Sequence, residues 1–140
     1  MDDAVPLSWN EIKDRALRFS REFAADSNEH AEAKTFWDAF FDVFGVSRKR
    51  VATFERKVKK LDGRDGYIDL LWKGVLLIEH KSRGKKLDRA HAQARDYFHG
   101  LSDAELPKYL LVSDFARFRL YDLESGEEPV EFALADLHKQ

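Results

Sequence analysis

The 140-residue sequence predicts an α/β fold, a three-layer sandwich in which a central mixed sheet is flanked by helices. Three observations predict it. Two amphipathic helical patterns precede residue 46, short apolar runs with strand character fill residues 51–80, and one more helical pattern separates these from two or three further strand-like runs. At 44% hydrophobic and 13% aromatic residues, the chain has enough apolar material for one core, and its length fits one domain.

The first helix opens at Ser8, where Glu11 three residues on completes a capping box, and Leu17, Phe19 and Phe23 carry its apolar stripe to about residue 25. A second start lies between Asp26 and Glu29. From there Ala33, Phe36, Trp37, Phe40, Phe41 and Phe44 recur at helical spacing until Gly45 stops them. At Val51 the period changes to two, with Ala52, Phe54 and Val58 on one side of a strand. The runs YIDLLW and VLLIEHK flank Lys73-Gly74 and read as a hairpin buried on both faces. Leu87, Ala90, Ala94, Tyr97 and Phe98 mark a helix over 86–100, followed by strands at 108–113 and 116–122 and a last one at 130–134. Trp9, Trp37 and Trp72 are read as core residues.

Composition excludes several classes. With no cysteine there is neither a disulfide framework nor a thiolate zinc site, so any metal must be held by oxygen or imidazole. No apolar run is long enough to span a membrane, and the N-terminus lacks a basic-then-apolar leader, which together predict a cytoplasmic protein with no membrane partner. The net charge of −2 conceals an asymmetry. Residues 48–89 carry 14 Lys and Arg against 6 Asp and Glu, +8 there and −10 over the remainder, as expected if one face meets a polyanion.

Inside the hairpin, Asp69, Glu79 and Lys81 interrupt apolar runs, where an unpaired buried charge costs on the order of several kcal/mol. Alternation puts Glu79 and Lys81 on one face with Val75 and Leu77, and turns His80 away to the other with Leu76 and Ile78. A three-residue Trp72-Lys73-Gly74 loop with left-handed Gly74 pairs Leu71 with Val75 and Asp69 with Leu77. Asp69 and Glu79 are then diagonal neighbours at roughly 7–8 Å. A two-residue loop would turn Asp69 to the wrong face. Two carboxylates so placed can hold one hard cation such as Mg²⁺, and a neighbouring ammonium can stabilise charge on a phosphoryl group, as phosphodiester hydrolysis requires.

The D-x9-E-x-K spacing on a hairpin, preceded by a helix and a strand and followed by a helix, resembles the PD-(D/E)XK nuclease superfamily, of restriction-endonuclease-like fold. Over roughly residues 28–137, the segments FWDAFFDVFG, FERKVKK, GYIDLLWKGVLLIEHKSRGKKL, QARDY and KYLLVSDFARFRLYDL resemble the N-terminal nuclease domain of MmeI-like (type IIL) restriction-modification enzymes.

The resemblance implies a Mg²⁺-dependent endonuclease acting on duplex DNA, with Mn²⁺ able to substitute. It makes Asp69 and Glu79 metal ligands, together with the backbone carbonyl of His80, and Lys81 the catalytic lysine. It also implies a further acidic residue from the first core helix, Glu32 with Glu29 as the alternative, and a Q-x-x-x-Y motif at Gln93 and Tyr97 beside the site. Ile68 stands where the superfamily name has proline. Arg83, Lys85, Lys86 and Arg89, just past Lys81, are placed to receive DNA phosphates. Residues 1–140 are then one nuclease domain at the N-terminal end of a larger protein. Methyltransferase and target-recognition domains would lie in cis, and S-adenosylmethionine would bind there and not to this domain. The alternative is a non-cleaving nucleic-acid-binding or interaction domain of the same fold.

Overall fold

The computed structural model describes residues 8–23, 29–81 and 85–139; the side chains of residues 29–32 lie outside that description. Helix α1 spans Trp9–Phe23. At its start the Glu11 N–H donates to Ser8 Oγ at 3.1 Å and the Ser8 hydroxyl donates to the Glu11 carboxylate at 3.3 Å, the capping box expected from the sequence. Helix α2, Glu29–Val43, is closed by a pair of reverse bonds, Val46 N to Phe41 O at 3.1 Å and Gly45 N to Asp42 O at 3.0 Å. The expected continuation of α1 to residue 25 and the start of α2 at Asp26 fall outside the described residues.

A one-turn helix α3, Arg48–Val51, occupies the stretch where a strand was expected to begin. Its first residue explains it: Arg48 reaches back to the Asp38 carboxylate at 2.6 Å and forward to the Ala52 carbonyl at 3.1 Å, tying the turn to α2. Six strands follow: β1 Thr53–Lys59, β2 Asp65–Trp72, β3 Leu76–His80, β4 Tyr109–Ser113, β5 Arg117–Asp122 and β6 Val130–Ala133. Helix α4, Leu87–Tyr97, runs into a 3-10 turn at Phe98–Gly100, and a 3-10 helix at Leu134–Lys139 closes the chain.

The strands form one sheet in chain order, antiparallel throughout except for the parallel pair β3 and β4, which α4 connects. On one face Phe19, Phe23, Phe36, Trp37 and Phe40 of α1 and α2 pack on Leu70, Ile78, Leu111 and Phe118. On the other, Leu87, Ala90, Ala94 and Tyr97 of α4 pack on Ile68, Leu71, Leu77, Leu110 and Val112. The sheet is thus the middle layer of three. Trp37 is buried and Trp72 half-buried, as expected, but Trp9 is 73% exposed: it stands ahead of the α1 stripe, whose packing begins at Ile12.

Two features of the sheet correct the sequence reading. Ala52 and Phe54 share the α2-side core, whereas Val58 faces α4, although simple alternation puts all three together. The strand changes sides at Glu55, whose φ of +53° is rare for a residue with a side chain. Strand β2 changes sides at the same level. Ile68 faces α4, Leu70 faces α2, and Asp69 lies between them, in the gap between the pairs Arg56↔Ile68 and Phe54↔Leu70.

The hairpin turn is the second. Its three residues are Lys73-Gly74-Val75, not Trp72-Lys73-Gly74, and the ladder reads Leu71↔Leu77 and Trp72↔Leu76. Gly74 is left-handed, at φ +76°, as expected. Val75 leaves the ladder because its carbonyl accepts the Lys108 and Tyr109 N–H groups, at 3.0 and 2.9 Å, which ties it to the start of β4. The two-residue shift preserves the alternation as far as Leu70 and moves Asp69 from diagonal to directly across from Glu79, but the side switch at Asp69 turns its carboxylate toward His80 instead of leaving it on the face expected to unite it with Glu79 and Lys81.

Gly74→Val forces a β-branched residue into left-handed backbone, with its Cβ 3.2 Å from the Ala104 carbonyl oxygen. The expected outcome is a loss of about 1–2 kcal/mol of stability, read as a lower urea midpoint at unchanged slope. An unchanged midpoint would contradict the turn.

Candidate active site

The β2–β3 ladder ends at Leu70↔Ile78, and one residue further the strands fork. Buried backbone N–H groups need acceptors. Here each strand's carboxylate serves the other: Asp69 N donates to Glu79 Oε1 at 2.9 Å, and His80 N donates to Asp69 Oδ2 at 2.8 Å. Glu79 is only 1% exposed.

Two acids in such a place resist ionising together. Burial, reinforced by the Asp69 charge, pushes Glu79 well above the ordinary carboxylate range. Burial also raises Asp69, against the opposing pull of His80 and Lys81. The pair therefore calls for a positive partner, either a shared proton or a cation.

Lys81 follows β3 directly. Its backbone N–H donates to Ser113 O at 2.9 Å, and its ammonium donates to Gln93 Oε1. Gln93 Nε2 in turn donates to Tyr97 Oη at 2.7 Å, an i, i+4 contact along α4. Tyr97 is buried; burial, and secondarily the Glu79 charge, raise its phenol, which keeps it a neutral hydroxyl. Its ring lies over Gly66, where an added Cβ would stand 2.5 Å from Tyr97 Cε1, so no larger residue fits without displacing it. Asp69, Glu79, Lys81, Gln93 and Tyr97 are thus brought together.

His80 does not turn away from the site as expected. Trp37 Nε1 donates to His80 Nδ1 at 3.0 Å, which sets the ring 3.6 Å from Asp69 Oδ2. Its face was read correctly; the side switch at Asp69 is what brings the carboxylate within its reach. A cavity of about 230 Å³ opens there, lined by Ala33, Lys34, Trp37, Phe54, Glu55, Asp69 and His80, with Lys34 and Glu55 paired at 3.6 Å. Lys34 and Glu55 went unnoticed in the sequence, because nothing in it fixes the β1–β2 register that sets Glu55 beside Asp69. The Trp37 contact had a signal, since a buried indole N–H requires an acceptor.

Lys85, Lys86 and Arg89 are exposed at the start of α4 and make no ion pair among the described residues. Arg89 lies one turn before Gln93 on the same helix face. Arg83 and the side chains of Glu29 and Glu32 lie outside the described residues. Among those described, no group of three or more His, Cys, Asp and Glu side chains could hold a metal ion, so side chains offer a cation two carboxylates at the fork.

A mixed sheet between helical layers, with its two acids facing across a fork in the central strands, makes this a restriction-endonuclease-like α/β sandwich. The chain belongs to the MmeI N-terminal domain family, whose model matches residues 14–140. The fold is similar to part of DrdV in an electron cryomicroscopy structure of a DrdV–DNA complex, at a TM-score of 0.55 and 18% identity. The match covers 94% of this chain and 13% of that one. No curated protein sequence matches the chain. No helix among the described residues is long and apolar enough to cross a membrane.

A raised carboxyl contributes stability that is complete below its unfolded pKa and is lost as pH rises through the folded one. The metal-free domain should therefore lose thermal stability as pH climbs above about 4.5, the unperturbed value for Glu79. Glu79→Gln, which keeps the acceptor for Asp69 N and donates to the Asp69 carboxylate, should flatten that decline and melt higher than wild type at pH 8. Parallel melting curves against pH for the two proteins would contradict the strained pair.

Proposed function

We propose that the chain is the Mg²⁺-dependent endonuclease domain of a type II restriction-modification enzyme, hydrolysing DNA phosphodiester bonds. The observation that carries this reading is the fork, where Asp69 and Glu79 face each other with the Lys81 ammonium held nearby through Gln93. The donor set suits a hard divalent cation, because it offers only oxygen and its two acids repel until neutralised. Asp69 and Glu79 would hold the ion, with the His80 carbonyl as a further ligand. When bound, Mg²⁺ supplies charge neutralisation and polarises the phosphodiester.

The remaining chemistry belongs to the chain. Water attacks phosphorus in line with the departing 3′ oxygen and leaves a 5′-phosphate and a 3′-hydroxyl. Lys81 stabilises the charge developing on the phosphoryl oxygens. Gln93 holds that ammonium, and Tyr97 holds Gln93, so the lysine is aimed before substrate arrives. Lys85, Lys86 and Arg89 take flanking phosphates. A domain that only bound DNA would have no use for a buried pair of repelling acids.

Family membership supports a place in restriction-modification, and the relative of similar fold was solved in complex with DNA. Because the chain matches 13% of that relative's length, we place it as one module of a longer protein, with methyltransferase and target-recognition domains in cis and S-adenosylmethionine bound there.

Mn²⁺ or Mg²⁺ should raise the melting temperature of wild type and of Lys81→Ala but not of Asp69→Asn. Lys81→Ala should nick supercoiled plasmid at least about a hundredfold more slowly than wild type. Wild-type nicking by Lys81→Ala would remove the lysine from the mechanism, and a metal-induced shift retained in Asp69→Asn would remove the fork as the metal site.

A further inference from the structure

The β1–β2 ribbon outruns the sheet. Its two strands stay paired from Thr53↔Leu71 to Lys59↔Asp65, whereas β2 and β3 are paired only from Leu70 to Trp72. Beyond the fork, residues 56–68 form a two-stranded arm with no third strand among the described residues. A bare hairpin is marginal in water. This one is backed on its inner face, where Val58 and Ile68 pack with Tyr97, Phe98 and Leu101 and where Gly66 admits the Tyr97 ring.

The outer face is of different character. With Gly66 and Ile68 turned inward, Asp65 and Tyr67 point outward, opposite Lys59 and Lys57, and all four are exposed, Tyr67 by 53%. At the tip the Gly63 N–H donates to Lys60 O at 2.9 Å, and the turn so formed lifts Leu61 into solvent, 72% exposed. Residues 56–65 carry five Lys and Arg against two Asp. Asp62 is taken by Arg64 and Asp65 is shared between Lys57 and Lys59, while half-buried Lys60 lays its stem against Gly66 on the inner face. The arm therefore presents a braced, positively charged ribbon that starts beside Asp69 and ends in one apolar side chain.

We infer that this arm is a second DNA-contact element: Lys57 and Lys59 lie along the phosphate backbone, and Leu61 enters the minor groove as an apolar wedge, to one side of the cut. The inference rests on the nuclease reading of the fork and extends it to where the duplex runs. At about 3.3 Å per strand residue the tip stands roughly 15–25 Å from Asp69, about four to seven base pairs along a duplex. Leucine wedges with basic flanks are a known means of prising a base step open. A protein partner for the tip fits less well, because lysine is depleted from protein interfaces and this tip is surrounded by it.

The test is fluorescence anisotropy with a 30-base-pair duplex across a salt series, using the full chain in the Lys81→Ala background with Mg²⁺ so that DNA survives. Adding Lys57→Ala and Lys59→Ala should reduce the slope of log affinity against log salt by about two. Adding Leu61→Ser should weaken binding about tenfold at unchanged slope. A melting temperature equal to the parent's checks that each variant folds. If the parent binds the duplex and the arm variants match it in affinity and slope, the arm proposal alone falls, and the tip belongs to a protein contact. If the parent binds no duplex, the arm is no contact element and the proposal falls, while the metal-induced melting shift and plasmid nicking decide the nuclease reading separately.

Discussion

The structure turns on two backbone N–H groups whose partners are carboxylates. Where β2 and β3 part, the ladder would leave Asp69 N and His80 N without acceptors, and the acid of the opposite strand takes each one. The exchange fixes both side chains by the same bonds that end the ladder. It also sets the rest of the site in order. Lys81 leaves β3 one residue past His80, its backbone is caught by β4, and its ammonium meets Gln93 on α4. The two cores on either side of the sheet hold the fork at a fixed width.

Burial disfavours the charge on both acids, and the Asp69 charge adds to that cost at Glu79, while a backbone N–H donated to each carboxylate favours the ionised form. A proton or a cation shifts that balance. Glu55, left-handed beside Asp69, and the side switch in β1 and β2 belong to the same distortion, beyond which Val58 and Ile68 pack with the residues of α4.

Most of the architecture was legible because short-range signals agreed with long-range packing. The Ser8–Glu11 box, the phenylalanine stripe ending at Gly45 and the left-handed Gly74 all state their structure in a few residues. Three things did not. The hairpin register depended on Val75, which bonds to Lys108 and Tyr109 thirty-odd residues away. The switch at Glu55 was hidden because nothing about a glutamate announces positive φ, so alternation alone put Phe54 and Val58 together. The approach of His80 to Asp69 needed both that switch and the Trp37 indole, which joins residues on different elements. Asp69, Glu79 and Lys81 stood out as charges interrupting apolar runs; their mutual geometry came from contacts no single segment contains.

The most direct measurement is anomalous diffraction from crystals soaked in Mn²⁺. A peak about 2.0–2.3 Å from carboxylate oxygens of both Asp69 and Glu79 is the result expected of a fork built to hold a hard cation. A fork that stays empty, or a peak held by other side chains, would contradict it.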